Sequence, residues 1–233
     1  MDFEMDFELD EITDKIYLLR FEHRYDLAMH FLRAQEYYES NNPVFRRHAF
    51  TILDYMEWYA KYHNGVFSYP DDWAGFNVPG WVFQQVLDKR RTRDWNKYDD
   101  VMRGIVDAIS KQYNRDERYS FYLIGTACDD PDTFDHELAH AFYATEPKYK
   151  TEMDRLLATV PDGRRKYSER LEDMGYDRSV LDDECQAYFA TTRNPTIGAS
   201  SAARFKAVLT RFKAGAWTGF DRNPLPLNKL TGA

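Results

Sequence analysis

TFDHELAHAFY, residues 133 to 143, sets His136 and His140 four positions apart, with Glu137 directly after the first. On a helix advancing 100° per residue, His136, His140 and Tyr143 fall in a sector of about 80°, while Leu138, Ala141 and Phe142 point the other way. Both imidazoles therefore face one point. Zinc asks for this arrangement: two neutral ring nitrogens at about 2.0 to 2.1 Å on a rigid helix, with room for a third protein ligand and water. Glu137, one residue round, is placed to take a proton from that water. The alternative is a pair of ordinary core or surface histidines, and composition alone yields the pattern in roughly one shuffled chain in a hundred. Buried imidazoles need partners for their nitrogens, however, and a metal supplies them. Ala139, Ala141 and Ala144 predict a helix buried nearly all round.

No histidine follows His140, so a third ligand further along the chain has to be a carboxylate. In SVLDDECQAYFATT, residues 179 to 192, Val180, Glu184, Ala187 and Thr191 share one helical face, flanked by Leu181 and Tyr188. Asp182 points away and Asp183 lies at the margin. Burying a carboxylate on that apolar side without a partner is costly, which favours Glu184 as ligand over Asp183, Glu152 and Glu169. The plain alternative for Glu184 is a surface position or a pairing with an arginine. Tyr143 and Tyr188 lie near the expected metal face and are candidates to donate to an oxyanion, although packing accounts for tyrosines there equally well. Cys185, turned about 100° from Glu184, is read with Cys128 as a small buried hydrophobe. His23, His30, His48 and His63 show no metal spacing and are read as solvent-facing or packing residues.

HELAH followed by ECQAYFA resembles the gluzincin zinc metallopeptidases, whose third ligand is a Glu on a later helix, and in particular the compact domains of the ImmA/IrrE-like group. Glu184, Ala187 and Ala190 match that later helix's E-x-x-A-x-x-F-A pattern, with Phe189 one place early. The resemblance covers about residues 118 to 192. It implies one Zn2+ per chain held by His136, His140 and Glu184, and hydrolysis of peptide bonds through a metal-activated water with Glu137 as general base. Larger gluzincins often place an acid four residues after the ligand Glu to support a zinc histidine. Tyr188 stands at that position here, which leaves the partners of the histidines unassigned. Two other readings compete: a zinc-containing binding or regulatory protein with a zincin fold and little or no turnover, and an acidic interaction protein without metal.

Outward from the motif, RYSFYLIGT (residues 118 to 126) is rich in β-formers and predicts a strand, a core strand or one lending its edge to an extended peptide. ACDDPD then turns the chain, and Asp132 or Thr133 caps the motif helix. MDFEMDFELD at the start alternates apolar and acidic residues, the period of a strand with one buried face, suited to a sheet edge. Helical spacing runs over Tyr25 to Ser40 and from Ile52 to a stop near Gly65, predicting a helical hairpin. FSYPDDWAGFNVPGW, residues 67 to 81, reads as a packed aromatic loop. Further helices are expected at 81 to 89, 94 to 113, 149 to 160, 164 to 174 with a stop at Gly175, 180 to 192 and 199 to 212. The tail after Trp217 reads as extended.

A chain of 233 residues with 43% hydrophobic and 16% aromatic residues can bury a core unaided. The resulting expectation is an α+β, mostly helical fold: an N-terminal helical region over 1–115, a zincin-like catalytic domain with a short sheet over 116–216, and a tail over 217–233. A net charge of -8 argues against nucleic acid as a partner, since phosphates require clustered cations. Peptide or protein substrates are the expected partners. Without a signal-like N-terminus or an apolar run near the roughly 20 residues of a membrane span, the reading is cytoplasmic, with both cysteines reduced.

Overall fold

The computed structural model describes residues 7–88, 92–127, 131–174, 176–192 and 196–216. The fold is α+β and mostly helical, with one four-stranded mixed sheet. The chain divides into two compact units, with the break between residues 130 and 131. Cys128, Gly175, the first six residues of the acidic strand and the tail from 217 lie outside the described residues.

The N-terminal unit carries the whole sheet. Strand β1 (Phe7–Thr13) buries Phe7, Leu9 and Ile12 and turns Glu8 and Glu11 outward, as the alternation predicts. It forms an edge of the sheet and pairs antiparallel with β2 (Ile16–Phe21), whose Arg20 reaches back to Glu8 and Asp10. Strand β3 (Gly75–Pro79) is the opposite edge, and β4 (Tyr122–Ala127) lies between β2 and β3, parallel to the former and antiparallel to the latter. Two expectations are corrected by this order. β4 has a neighbour on each side and lends no edge to a peptide. It also belongs to the N-terminal unit, so the division expected between residues 115 and 116 moves beyond β4, and the supposed helical N-terminal region is the part that holds the sheet.

Helix α1 (Arg24–Glu39) lies on this sheet, close enough that a Cβ on Gly125 would collide with Phe31 and stand 2.8 Å from Leu27 Cδ1. Phe31 in turn stacks on Phe76 of β3 at 5.5 Å. Leu27, Phe31 and Leu32 are fully buried, each contributing about 1.5 to 3 kcal/mol by leaving water. The expected hairpin with α2 (Ile52–Tyr62) does not form: α1 packs instead on the sheet and on α3 (Tyr69–Asp72), α4 (Gly80–Val86) and α5 (Lys97–Ser110). Part of this comes from the aromatic stretch read as a loop, which supplies α3 and β3. Arg33 ties α1 to α5 through a buried ion pair with Asp99 at 2.8 Å and also donates to Phe50 O and Asp94.

Among the described residues the C-terminal unit is entirely helical. It comprises α6 (Pro131–Thr145), α7 (Pro147–Ala158), α8 (Pro161–Asp173), a single 3-10 turn (Arg178–Val180), α9 (Leu181–Thr191) and α10 (Ala199–Ala216). Proline sits in the first turn of α7 and of α8, where its fixed φ suits the helix and its missing N–H costs nothing. Helix α9 is the hub, packed against α6, α7, α8 and α10. Glu184, Cys185, Gln186, Ala187, Phe189 and Ala190 are therefore buried together. No described helix is long and apolar enough to cross a membrane.

Candidate metal centre

Helix α6 is buried along Glu137–Phe142, as its alanines predict, although Ala144 is exposed. Its histidines meet α9 at a single point: one ligand atom each from His136, His140 and Glu184 lie within 4.8 Å of one another. The two Nε2 atoms are 3.3 Å apart, and His140 Nε2 is 3.7 Å from Glu184 Oε1. Two atoms each about 2.05 Å from one ion at the tetrahedral angle stand about 3.3 Å apart. The separation of the two imidazoles matches that value, and Glu184 Oε1 stands about 0.4 Å further off.

Hydrogen-bond accounting fixes the tautomers. His140 Nδ1 lies 2.9 Å from Asp183 Oδ1, and a carboxylate only accepts, so Nδ1 carries the proton. His136 Nδ1 lies 3.3 Å from Thr191 Oγ1, whose own hydroxyl proton is spent on Ala187 O at 2.7 Å, so this Nδ1 also donates. Both Nε2 lone pairs are thus turned toward each other, and something positive has to stand between them: a shared proton or a cation. Burial would lower the His140 pKa, but Asp183, Glu184 and Glu137 outweigh it and hold the ring well above its ordinary value. Burial and then the His140 charge pull His136 down to about 3. Without metal, the one proton resides on His140.

Glu184 bears on the choice between proton and cation. Its carboxyl is buried and desolvation pushes its pKa up to about 7, yet Oε2 has no hydrogen-bond partner. Leaving that oxygen without a partner costs about 1 to 3 kcal/mol. A divalent cation at the meeting point would serve both imidazoles and the carboxylate and would offset the charge that Glu137 and Asp183 add. The donor set of two imidazoles and a carboxylate suits zinc. Of the three candidate ligands only His136 keeps part of its surface exposed.

The structure brings His136, Glu137, His140 and Glu184 together as the sequence predicts, with Glu137 buried and acting electrostatically on both His140 and Glu184. It separates the two tyrosines. The Tyr188 ring packs on His136 at 4.6 Å, and its hydroxyl is hydrogen-bonded with Tyr176. The Tyr143 hydroxyl donates to Asp154 at 2.6 Å and accepts from Lys150, so its proton is committed away from the cluster. Tyr143 is accordingly withdrawn as an oxyanion donor. Cys185 is a free, fully buried thiol beside Ser168, in keeping with a packing role. Asp183 and Thr191, the missing partners of the histidines, were not recognised in the sequence. The adjacent pair Asp183-Glu184 was the available signal, because neighbours on a helix differ by only 100° and can serve the two ends of one imidazole. The chain matches no protein-family model, no curated protein and no solved structure.

Proposed function

We propose that this chain is a zinc-dependent metallopeptidase of zincin type, with His136, His140 and Glu184 holding the ion and Glu137 as the general base. The observation that carries the reading is the pair of Nε2 atoms 3.3 Å apart beside a buried carboxylate with a partnerless oxygen. Bound there, zinc supplies Lewis acidity, polarising a carbonyl and making water a stronger acid. The Glu137 carboxylate then accepts the proton of the attacking water and returns it to the leaving amine. Asp183 and Thr191 keep the protons of the two imidazoles on Nδ1 and the Nε2 atoms aimed inward. Tyr188, whose ring packs on His136, is the remaining one of the two tyrosine candidates to donate to a developing oxyanion.

One observation favours the second reading, a zinc-containing binding or regulatory protein with little turnover: the capture of the Tyr143 hydroxyl by Asp154 removes one of two expected donors. Glu137→Gln separates the two. Under the peptidase reading it keeps zinc, measured by native mass spectrometry and elemental analysis, and lowers the rate on a peptide library by about 10²- to 10⁴-fold. An unchanged rate would end the general-base assignment. Absence of zinc from wild-type protein that stays folded in added zinc, with Glu184→Ala alongside, would end the metal reading altogether.

A further inference from the structure

The partners of the histidines raise a question of their own. Asp183 orients His140, yet its side chain is 27% exposed, and an acid at a helix margin has other rotamers and water to choose from. Something has to hold it in place. Gln186, one turn further along α9, is completely buried. Its Nε2 donates to Asp183 Oδ1 at 3.0 Å and to the Ala139 carbonyl at 3.3 Å, and its Oε1 accepts from the Tyr149 hydroxyl at 3.0 Å. The orientation of the amide is forced from outside, because the Ala139 carbonyl and the Asp183 carboxylate only accept, so the nitrogen end must face them and the oxygen end is left for the Tyr149 hydroxyl. Asp183 Oδ1 thus receives both Gln186 and His140. Ala139 is the residue immediately before His140, so the same amide also grips the backbone that carries the ligand.

We propose that Gln186, itself fixed by Tyr149, is a positioning residue of the metal centre, resting on the zinc reading above. The chain of contacts Tyr149, Gln186, Asp183, His140 runs from α7 through α9 to α6, and every member meets a defined partner. Its effect is to hold Asp183 on His140 Nδ1 in advance of the metal, so that binding does not have to order either side chain. A polar amide in the middle of a helical core is costly unless all its groups are used. Here they are used on the ligand helix and the orienting carboxylate.

The test is zinc affinity of the full chain, by competition with a chromophoric chelator, with thermal unfolding recorded in parallel. Asp183→Ala is expected to weaken zinc binding 10- to 100-fold. Gln186→Met, which keeps the volume and removes the hydrogen bonds, is expected to weaken it about 10-fold, and Tyr149→Phe by a smaller factor in the same direction. Because Gln186 acts mainly through Asp183, its substitution in the Asp183→Ala background should weaken zinc binding by much less than in the wild type, the remainder being its hold on the Ala139 carbonyl. Wild-type affinity in Gln186→Met, whatever its melting temperature, would overturn the proposal and leave the metal reading intact. So would a Gln186→Met effect that persists at full size in the Asp183→Ala background, since that is the signature of general loosening. If Gln186→Met does not fold, Tyr149→Phe decides, and unchanged affinity there overturns the proposal. Failure of the wild-type chain to bind zinc would overturn both readings.

Discussion

Adding zinc to the metal-free protein should eject protons, and their number can be worked from the site. At pH 7 the carboxylates around His140 hold its imidazole well above its ordinary pKa, so it carries nearly one full proton that a metal must displace. Glu184, raised to about 7 by burial, is half protonated at that pH. His136, at about 3, has nothing to give. The site should therefore release more than one proton per zinc at pH 7, most of it from His140. By linkage, affinity should fall from pH 7 to pH 6, with His140 and Glu184 both contributing. Isothermal titration calorimetry in buffers of different ionisation enthalpy reads the number directly, as the slope of apparent heat against buffer enthalpy. Asp183→Asn removes one of the charges that keep the proton on His140 and should lower the release. A slope near zero, with affinity flat from pH 6 to 8, would mean that no proton occupies the site and would refute the reasoning.

Three further expectations concern the N-terminal unit. Gly125→Ala drives a methyl group into Phe31 and Leu27 and should cost about 1 to 3 kcal/mol in urea unfolding; no loss would mean that α1 sits further from the sheet than described. Arg33→Met strands the buried Asp99 carboxylate and should cost about 3 to 5 kcal/mol by the same assay, so a change under 1 kcal/mol would contradict a buried pair. His30, whose Nε2 is buried without a partner, has its pKa pulled below 6.5 by burial. The unfolded chain takes up that proton first, so stability present above about pH 6.5 is lost as pH falls below it. His30→Leu should flatten melting temperature against pH between 7 and 5, and an unaltered slope would place the acid sensitivity elsewhere.

The helices were legible because their apolar spacing is local information, and so were His136 and His140, one helical turn apart, Glu137 one residue round from the first, and Glu184 on the apolar side of its helix. What sequence reasoning missed depends on partners distant in the chain. β2, IYLLRF, does not alternate because it is nearly all buried, and an apolar run of that length is shared by strands and helices alike. β3 was concealed by Gly75 and Pro79, which are tolerated at a sheet edge. The placement of β4 depends on pairing with residues 16 to 21, about a hundred residues earlier, so nearness to the motif gave the wrong unit. Tyr143 lies on α6 as expected, but Asp154 and Lys150 on the next helix take its hydroxyl. The role of Asp183 rests on which way the His140 Nδ1 points, and a helical wheel does not carry that.

That the candidate ligands come from α6 and α9 has a consequence separate from chemistry. An ion bridging His140 and Glu184 would be a cross-link that closes roughly forty residues of chain, and in the chain-entropy account of cross-links a loop of that length is worth about 4 kcal/mol. The helices enclosed, α7 and α8, contribute only a few buried residues each, and a unit of that kind leans on whatever fastens its ends. Metal supply would then govern how long this part of the chain survives against cellular proteases. Starvation for the ion would remove the protein itself.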